Sequence, residues 1–199
     1  MKRLLAVFAS LSICACVSVV KVESGERAVG ERLVVNIDGA WNHVEAPGLG
    51  PAQVWTMEGL PVDQLLIYSG VKDGEAIHAQ GGAAAGGANA SPNERKTYLF
   101  RSKMQPDELV SIFEGMLTRD GSSFKLAKLE PVAFGGGKGF RFEFLLTRKV
   151  DNVRLSGIAY GIVSRGELFS LVYLAPRMVF FSRHSARIEH IARTARVKG

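Results

Sequence analysis

Cys14 and Cys16 are the only thiols in this chain of 199 residues, and their setting decides what each can do. Lys2 and Arg3 precede an apolar run over residues 4–13, and Ala15 is the small residue that a signal peptidase needs before its cut. The run is far shorter than the about 20 apolar residues that span a bilayer. Cleavage after Ala15 leaves Cys16 at the new N-terminus, its sulfur thioether-linked to a lipid with palmitate-class chains. Cys14 is the poorer candidate, because bulky Ile13 would precede the cut. With Cys16 lipidated, no disulfide framework, C-x-x-C redox pair or cysteine metal site is open to the rest of the chain.

Other reactive residue types are present without the spacing that makes them act together. Gly135-Gly136-Gly137-Lys138-Gly139 has the composition of a phosphate cradle, but such a cradle needs Ser or Thr after the lysine and a helix to follow. Gly139 and an alternating strand pattern come next, so a connecting loop with positive φ is the expectation. The histidines are His43, His78, His184 and His190; the last two are six positions apart and do not share a helix face. Partly exposed histidines are expected, with no metal site and no cofactor. No G-x-S-x-G elbow or H-E-x-x-H pair occurs. Dispersed Ser, His and Asp residues can still converge in a fold, which keeps a hydrolase open as the alternative function. Trp41, Trp55, Tyr68, Tyr160 and Tyr173 either line a ligand groove or pack in the core, and packing is the commoner role.

The tetrapeptide Ile13-Cys14-Ala15-Cys16 resembles a bacterial lipobox, with Cys14 as a departure at its second place. The expected organisation is a signal peptide over 1–15, a lipidated tether over 16–31 and a single domain over 32–199. Val17, rather than Asp, after the lipidated cysteine resembles the rule for export to the outer membrane, facing the periplasm. Hydrophobic residues make up 47% and charged residues 22%, which points to a globular domain and against an integral membrane protein. Loss of Lys2 and Arg3 lowers the formal charge from +6 to +4. The excess gathers in Arg177, Arg183, Arg187, Arg193, Arg196 and Lys198 around Glu189, which reads as a solvated helix face, and no nucleic-acid partner is expected.

The elements that must position these groups follow from periodicity. Residues 33–37, 41–44, 53–57 and 65–68 read as strands, with Asp38-Gly39 suited to a hairpin turn between the first two. Residues 79–92 are rich in Gly and Ala and are expected to form a loop, with a packed glycine-rich element or a ligand lid as the alternative. Pro106, the acidic pair Asp107 and Glu108, and Leu109, Ile112, Phe113, Met116 and Leu117 at three- and four-residue spacing predict a helix ended by Asp120-Gly121. A strand over 124–134 kinked at Pro131, a loop over 135–139 and strands over 140–146, 154–164 and 168–174 form a meander. A last helix is expected over 182–195. The fold class is α+β, an antiparallel sheet flanked by helices.

The order of Trp41-Asn42, Trp55-Thr56-Met57-Glu58-Gly59, the 106–117 helix, Gly137-Lys138-Gly139-Phe140-Arg141-Phe142-Glu143, the glycines from Gly157 to Gly161, Gly166-Glu167-Leu168-Phe169-Ser170-Leu171 and Ala175-Pro176 before Phe180-Phe181 resembles the PsbP/Mog-type fold, whose bacterial members include DcrB-like lipoproteins. The resemblance implies an α/β/α sandwich that works as a binding or assembly module without catalytic residues to carry over. The functional expectation is therefore a membrane-anchored envelope lipoprotein with an envelope protein as partner.

Overall fold

The computed structural model describes residues 18–45, 50–78 and 96–199. An eight-stranded sheet carries the order β1 (Ser18–Val22), β4 (Trp41–Glu45), β5 (Gln53–Thr56), β6 (Gln64–Lys72), β10 (Glu167–Pro176), β9 (Arg154–Ser164), β8 (Gly137–Thr147) and β7 (Ser123–Phe134). A second sheet of three strands has the order β11 (Arg196–Val197), β3 (Leu33–Ile37) and β2 (Gly25–Val29). Every pairing is antiparallel. Two α-helices, α1 (Pro106–Leu117) and α2 (Ser182–Thr194), and a π-helical turn before α2 complete the described elements, so the fold is mostly antiparallel sheet with two α-helices. Neither is long and apolar enough to cross a membrane.

Two expectations about the N-terminal third are corrected. The tether placed over 16–31 is instead folded from Ser18, because β1 finds a partner in β4 and β2 finds one in β3. Ser18–Val22 keeps most of its side chains exposed, so its place is set by the ladder bonds to β4, a strand about twenty residues further along the chain. The hairpin at Asp38-Gly39 is a crossing between sheets, with β3 in the small sheet and β4 in the large one. Gly39 sits at φ +83, and a Cβ there would press on the Arg187 guanidinium of α2. The signal peptide, Cys14, Cys16 and the Gly/Ala-rich segment at 79–92 lie outside the described residues.

Helix α1 forms where the pattern places it. Pro106 supplies a preset φ at the first turn, and the Glu108 carboxylate accepts from the Gln105 backbone N–H at 2.7 Å. It buries Leu109, Val110, Ile112 and Phe113 in a cluster with Phe140, Phe142 and Phe144 of β8. These three rings lie opposite Gly161, Ala159 and Gly157 of β9 in register. A Cβ on Gly157 would fall within the Phe144 ring, and one on Gly161 within the Phe140 ring. Small residues on that face of β9 therefore make the room that the rings fill.

The opposite face of the sheet carries Trp41, Trp55, Leu65, Ile67, Ile158, Phe169, Leu171 and Tyr173, packed with Leu33, Val35 and Ile37 of the small sheet and Ile188, Ile191 and Ala192 of α2. A π-helical turn, Arg177–Phe181, leads from β10 into α2. Phe180 and Phe181 are both partly buried against this cluster, while Met178 and Val179 point outward. Edge strand β7 is irregular between Leu126 and Lys128, and Pro131 pairs in register with Phe140, so the distortion sits before the proline. The loop expected over 135–139 shortens to Gly135-Gly136, both at positive φ, because β8 already begins at Gly137.

Candidate functional site

The chain between β5 and β6 carries polar and apolar side chains toward both faces of the sheet. Asp63, 1% exposed, anchors it. Its carboxylate accepts from the Thr56 hydroxyl at 2.5 Å and from the backbone N–H groups of Glu58 at 2.8 Å and Met57 at 3.1 Å. Thr56 Oγ1 in turn accepts from the Gly59 N–H at 2.9 Å, and Val62 N–H donates to the Gly59 carbonyl at 2.8 Å. A buried carboxylate is tolerated only when its lone pairs are engaged in this way. The result is a turn of fixed shape that presents Glu58 on one side and Leu60, Pro61 and Val62 on the other.

On the α2 side, Glu58 Oε1 lies 2.8 Å from His184 Nε2 and 3.1 Å from an Arg183 guanidinium nitrogen. The hydrogen bond to His184, then Arg183, holds the Glu58 carboxyl below the usual carboxylate range against the opposing effect of desolvation. His184 is 4% exposed, and its Nδ1 has no partner among the described residues. Tyr173 and Trp41 meet edge to face in the same cluster, also with unpartnered Oη and Nε1. Burial, with Asp63 and Glu58 nearby, raises the Tyr173 phenol well above its ordinary value. The Glu58–His184 pair ties the start of α2 to the β5–β6 turn.

On the α1 side, the same turn forms one wall of a cleft of about 230 Å³. Leu60, Pro61, Val62, Met116 and Leu117 line it above the buried Leu146, Leu155 and Leu174. The guanidinium of Arg148 makes a two-point contact with Asp151 at 2.9 and 2.6 Å and donates to the Pro61 carbonyl at 2.8 Å. Asp151 raises the Arg148 pKa, and Arg148 lowers that of Asp151. The cation of the cleft is thus committed to holding its rim.

Of the residues singled out from sequence, Trp41, Trp55, Tyr68, Tyr160 and Tyr173 are all buried. His78 and His184 are buried rather than partly exposed, while His43 stands beside Glu45 and the Trp55 ring. Among the described residues no group of three His, Cys, Asp or Glu side chains could hold a metal ion. Three serine hydroxyls are engaged: Ser122 donates to Asp120, Ser170 to the Tyr160 carbonyl and Ser182 to the Val179 carbonyl. The C-terminal arginines are less free than their sequence neighbourhood implies, since Arg183 pairs with Glu58 and Arg196 with Glu26. Sequence reading passed over Asp63 and Arg148. The available signals were an acid closing a Glu-Gly turn, and an Arg-x-x-Asp spacing across the β8–β9 turn.

No family model matches the chain, and no curated protein matches it. Among solved structures it is similar to cyanobacterial PsbP (CyanoP) from Synechocystis sp. in its solution structure, with a TM-score of 0.48 and 12% identity, over 86% of this chain and 97% of that one.

Proposed function

We propose that this chain is a lipid-anchored protein of the bacterial envelope, a non-catalytic module for binding or assembly, with the layering of a DcrB-like α/β/α sandwich. The cleft beside Leu60, Pro61 and Val62 carries the binding reading. Its about 230 Å³ falls below the about 300 Å³ at which small-molecule sites begin, yet suits one anchoring side chain of a partner protein. The alternative, a hydrolase assembled only in the fold, needs an acid or base within hydrogen-bond reach of a substrate proton. His184 is the nearest thing to one, and its Nε2 is taken by Glu58 while its Nδ1 is enclosed. Anchoring rests on Lys2 and Arg3, the apolar run and Ala15-Cys16, and Val17 favours the outer membrane on its periplasmic side. Strand β1 starts two residues after Cys16, so lipid on that cysteine would hold the sheet close to the bilayer.

Two measurements test this reading. Wild type and Cys14→Ala should incorporate an alkyne fatty acid in cells, and Cys16→Ala should not; a wild-type chain that never takes the label ends the lipoprotein reading. A photo-crosslinking residue in place of Leu60 or Met116 should give one shared protein adduct that is missing when the crosslinker stands at Arg165, at the far end of the sheet. Adducts that do not differ between cleft and control positions would remove the cleft as the binding site.

A further inference from the structure

We propose that the end of the sheet formed by the β8–β9 turn and the turn before α2 docks on an anionic phospholipid surface. The register brings these two turns together, since Thr147 pairs with Arg154 where β8 meets β9, and Pro176 pairs with Leu155 where β10 meets β9. From them project Val150, 84% exposed, Met178, 87% exposed, and Val179, 50% exposed. Single exposed apolar side chains are ordinary, but three on two adjoining turns form a tip that can enter a lipid interface.

The charge around the tip favours the same occupant. A groove of about 320 Å³ runs beside it, with Phe124, Leu145 and Leu146 as apolar lining and Lys125, Arg154 and Arg177 as its cations. No carboxylate lines it, and none of the three cations has an ion pair among the described residues. The nearest acids along the strands are spoken for, Asp151 by Arg148 and Glu143 by Arg141. Three free cations behind a protruding apolar tip match anionic headgroups above acyl chains. A protein groove would instead have to enclose the projecting Met178 and Val150 from outside. The inference does not rest on the lipid at Cys16.

The test uses the full chain with Cys14→Ser and Cys16→Ser, and with Met178→Cys carrying a polarity-sensitive fluorophore. Phosphatidylcholine vesicles containing phosphatidylglycerol should shift its emission to the blue, and nitroxide-labelled lipid should quench it. Phosphatidylcholine alone should do neither, and added salt should reverse the shift. The same dye at Lys138→Cys, at the opposite end of β8, should stay silent even if the leader binds the vesicle. Replacing Lys125, Arg154 and Arg177 by Gln should weaken the response at 178 about a hundredfold, about fivefold for each cation near an anionic surface. These side chains are exposed, so the variant should melt with the parent. A dye at 178 that ignores phosphatidylglycerol, or that responds no more than the dye at 138, overturns the proposal and leaves an acidic protein surface as the occupant to pursue.

Discussion

The two faces of the large sheet are held by different physics. Against α1 the sheet presents Tyr68, Phe140, Phe142 and Phe144 to Phe113 and Phe100, an aromatic cluster in which the Tyr68 hydroxyl is bound to Met116 sulfur at 3.1 Å. Against α2 and the small sheet, charge reaches inward. Arg141, its side chain 14% exposed, bonds Glu130 at 2.7 Å and Glu143 at 2.5 Å, Arg32 engages Glu167 over the Phe169 ring, and His184 engages Glu58. Ring packing fails when volume changes, whereas a paired charge fails when its partner or its protonation changes. One sheet thus carries a face sensitive to shape and a face sensitive to charge.

The largest effect that could break this contrast is on the shape-sensitive face. Phe113→Ala should cost about 3–5 kcal/mol, and the exposed neighbour Glu114→Ala well under about 1 kcal/mol, in urea titrations. Equal, small losses would mean that the α1 face is not a packed layer. Gly157→Ala adds one methyl where the Phe144 ring lies and should cost about 1–3 kcal/mol, read as a lower melting temperature without any change of charge. On the charged face, Asp63→Asn keeps the volume but removes the ionised acceptor of Thr56, Met57 and Glu58, for about 1.5–3 kcal/mol. A neutral result there would show that the turn keeps its shape without the charge. The smallest effect is the most diagnostic. Glu58 has a folded-state pKa below its usual 4.5, so its contribution is complete above that value and is lost as the pH falls through the depressed one. Glu58→Gln should therefore be less stable than wild type at about pH 6, with a deficit that narrows as the pH falls below 4.5, while the Phe113→Ala deficit stays level across the same range. A Glu58→Gln deficit that does not narrow on acidification would show that the carboxylate contributes no charge-dependent stability.

Legibility followed the same division. Helix α1 and strand β8 could be read because one face of each is apolar with a regular period, β9 and β10 because they are continuous apolar runs buried on both faces, and all because Pro106, Gly135-Gly136 and Arg165-Gly166 punctuate them. The Gly157, Ala159, Gly161 series was visible as a pattern, and its reason, the three rings opposite, became visible only with the register. Ser18–Val22 and Gly25–Val29 read as a tether because most of their side chains are exposed or charged and their partners, β4 and β3, lie further along the chain. The candidate site was hardest to read. Asp63 is buried by backbone amides that any sequence would supply, and Glu58 meets His184 across 126 positions, a distance over which local spacing holds no information. The proposed lipid-facing tip was likewise hidden, since the turns that carry Val150, Met178 and Val179 reach the same end of the sheet through strand pairing alone.

Strand order also sets a timetable. β6 and β10 are adjacent in the middle of the large sheet, with Lys72 opposite Glu167, and the last strand, β11, closes on Leu33 and Val34. The sheet cannot be completed until nearly the whole polypeptide is available, and so many distant pairings place folding among slow, millisecond-to-second processes. A chain emerging residue by residue would leave β6 as an open edge while nearly a hundred further residues arrive. During that interval its unpaired backbone groups are open to pairing with the wrong strand or a second chain.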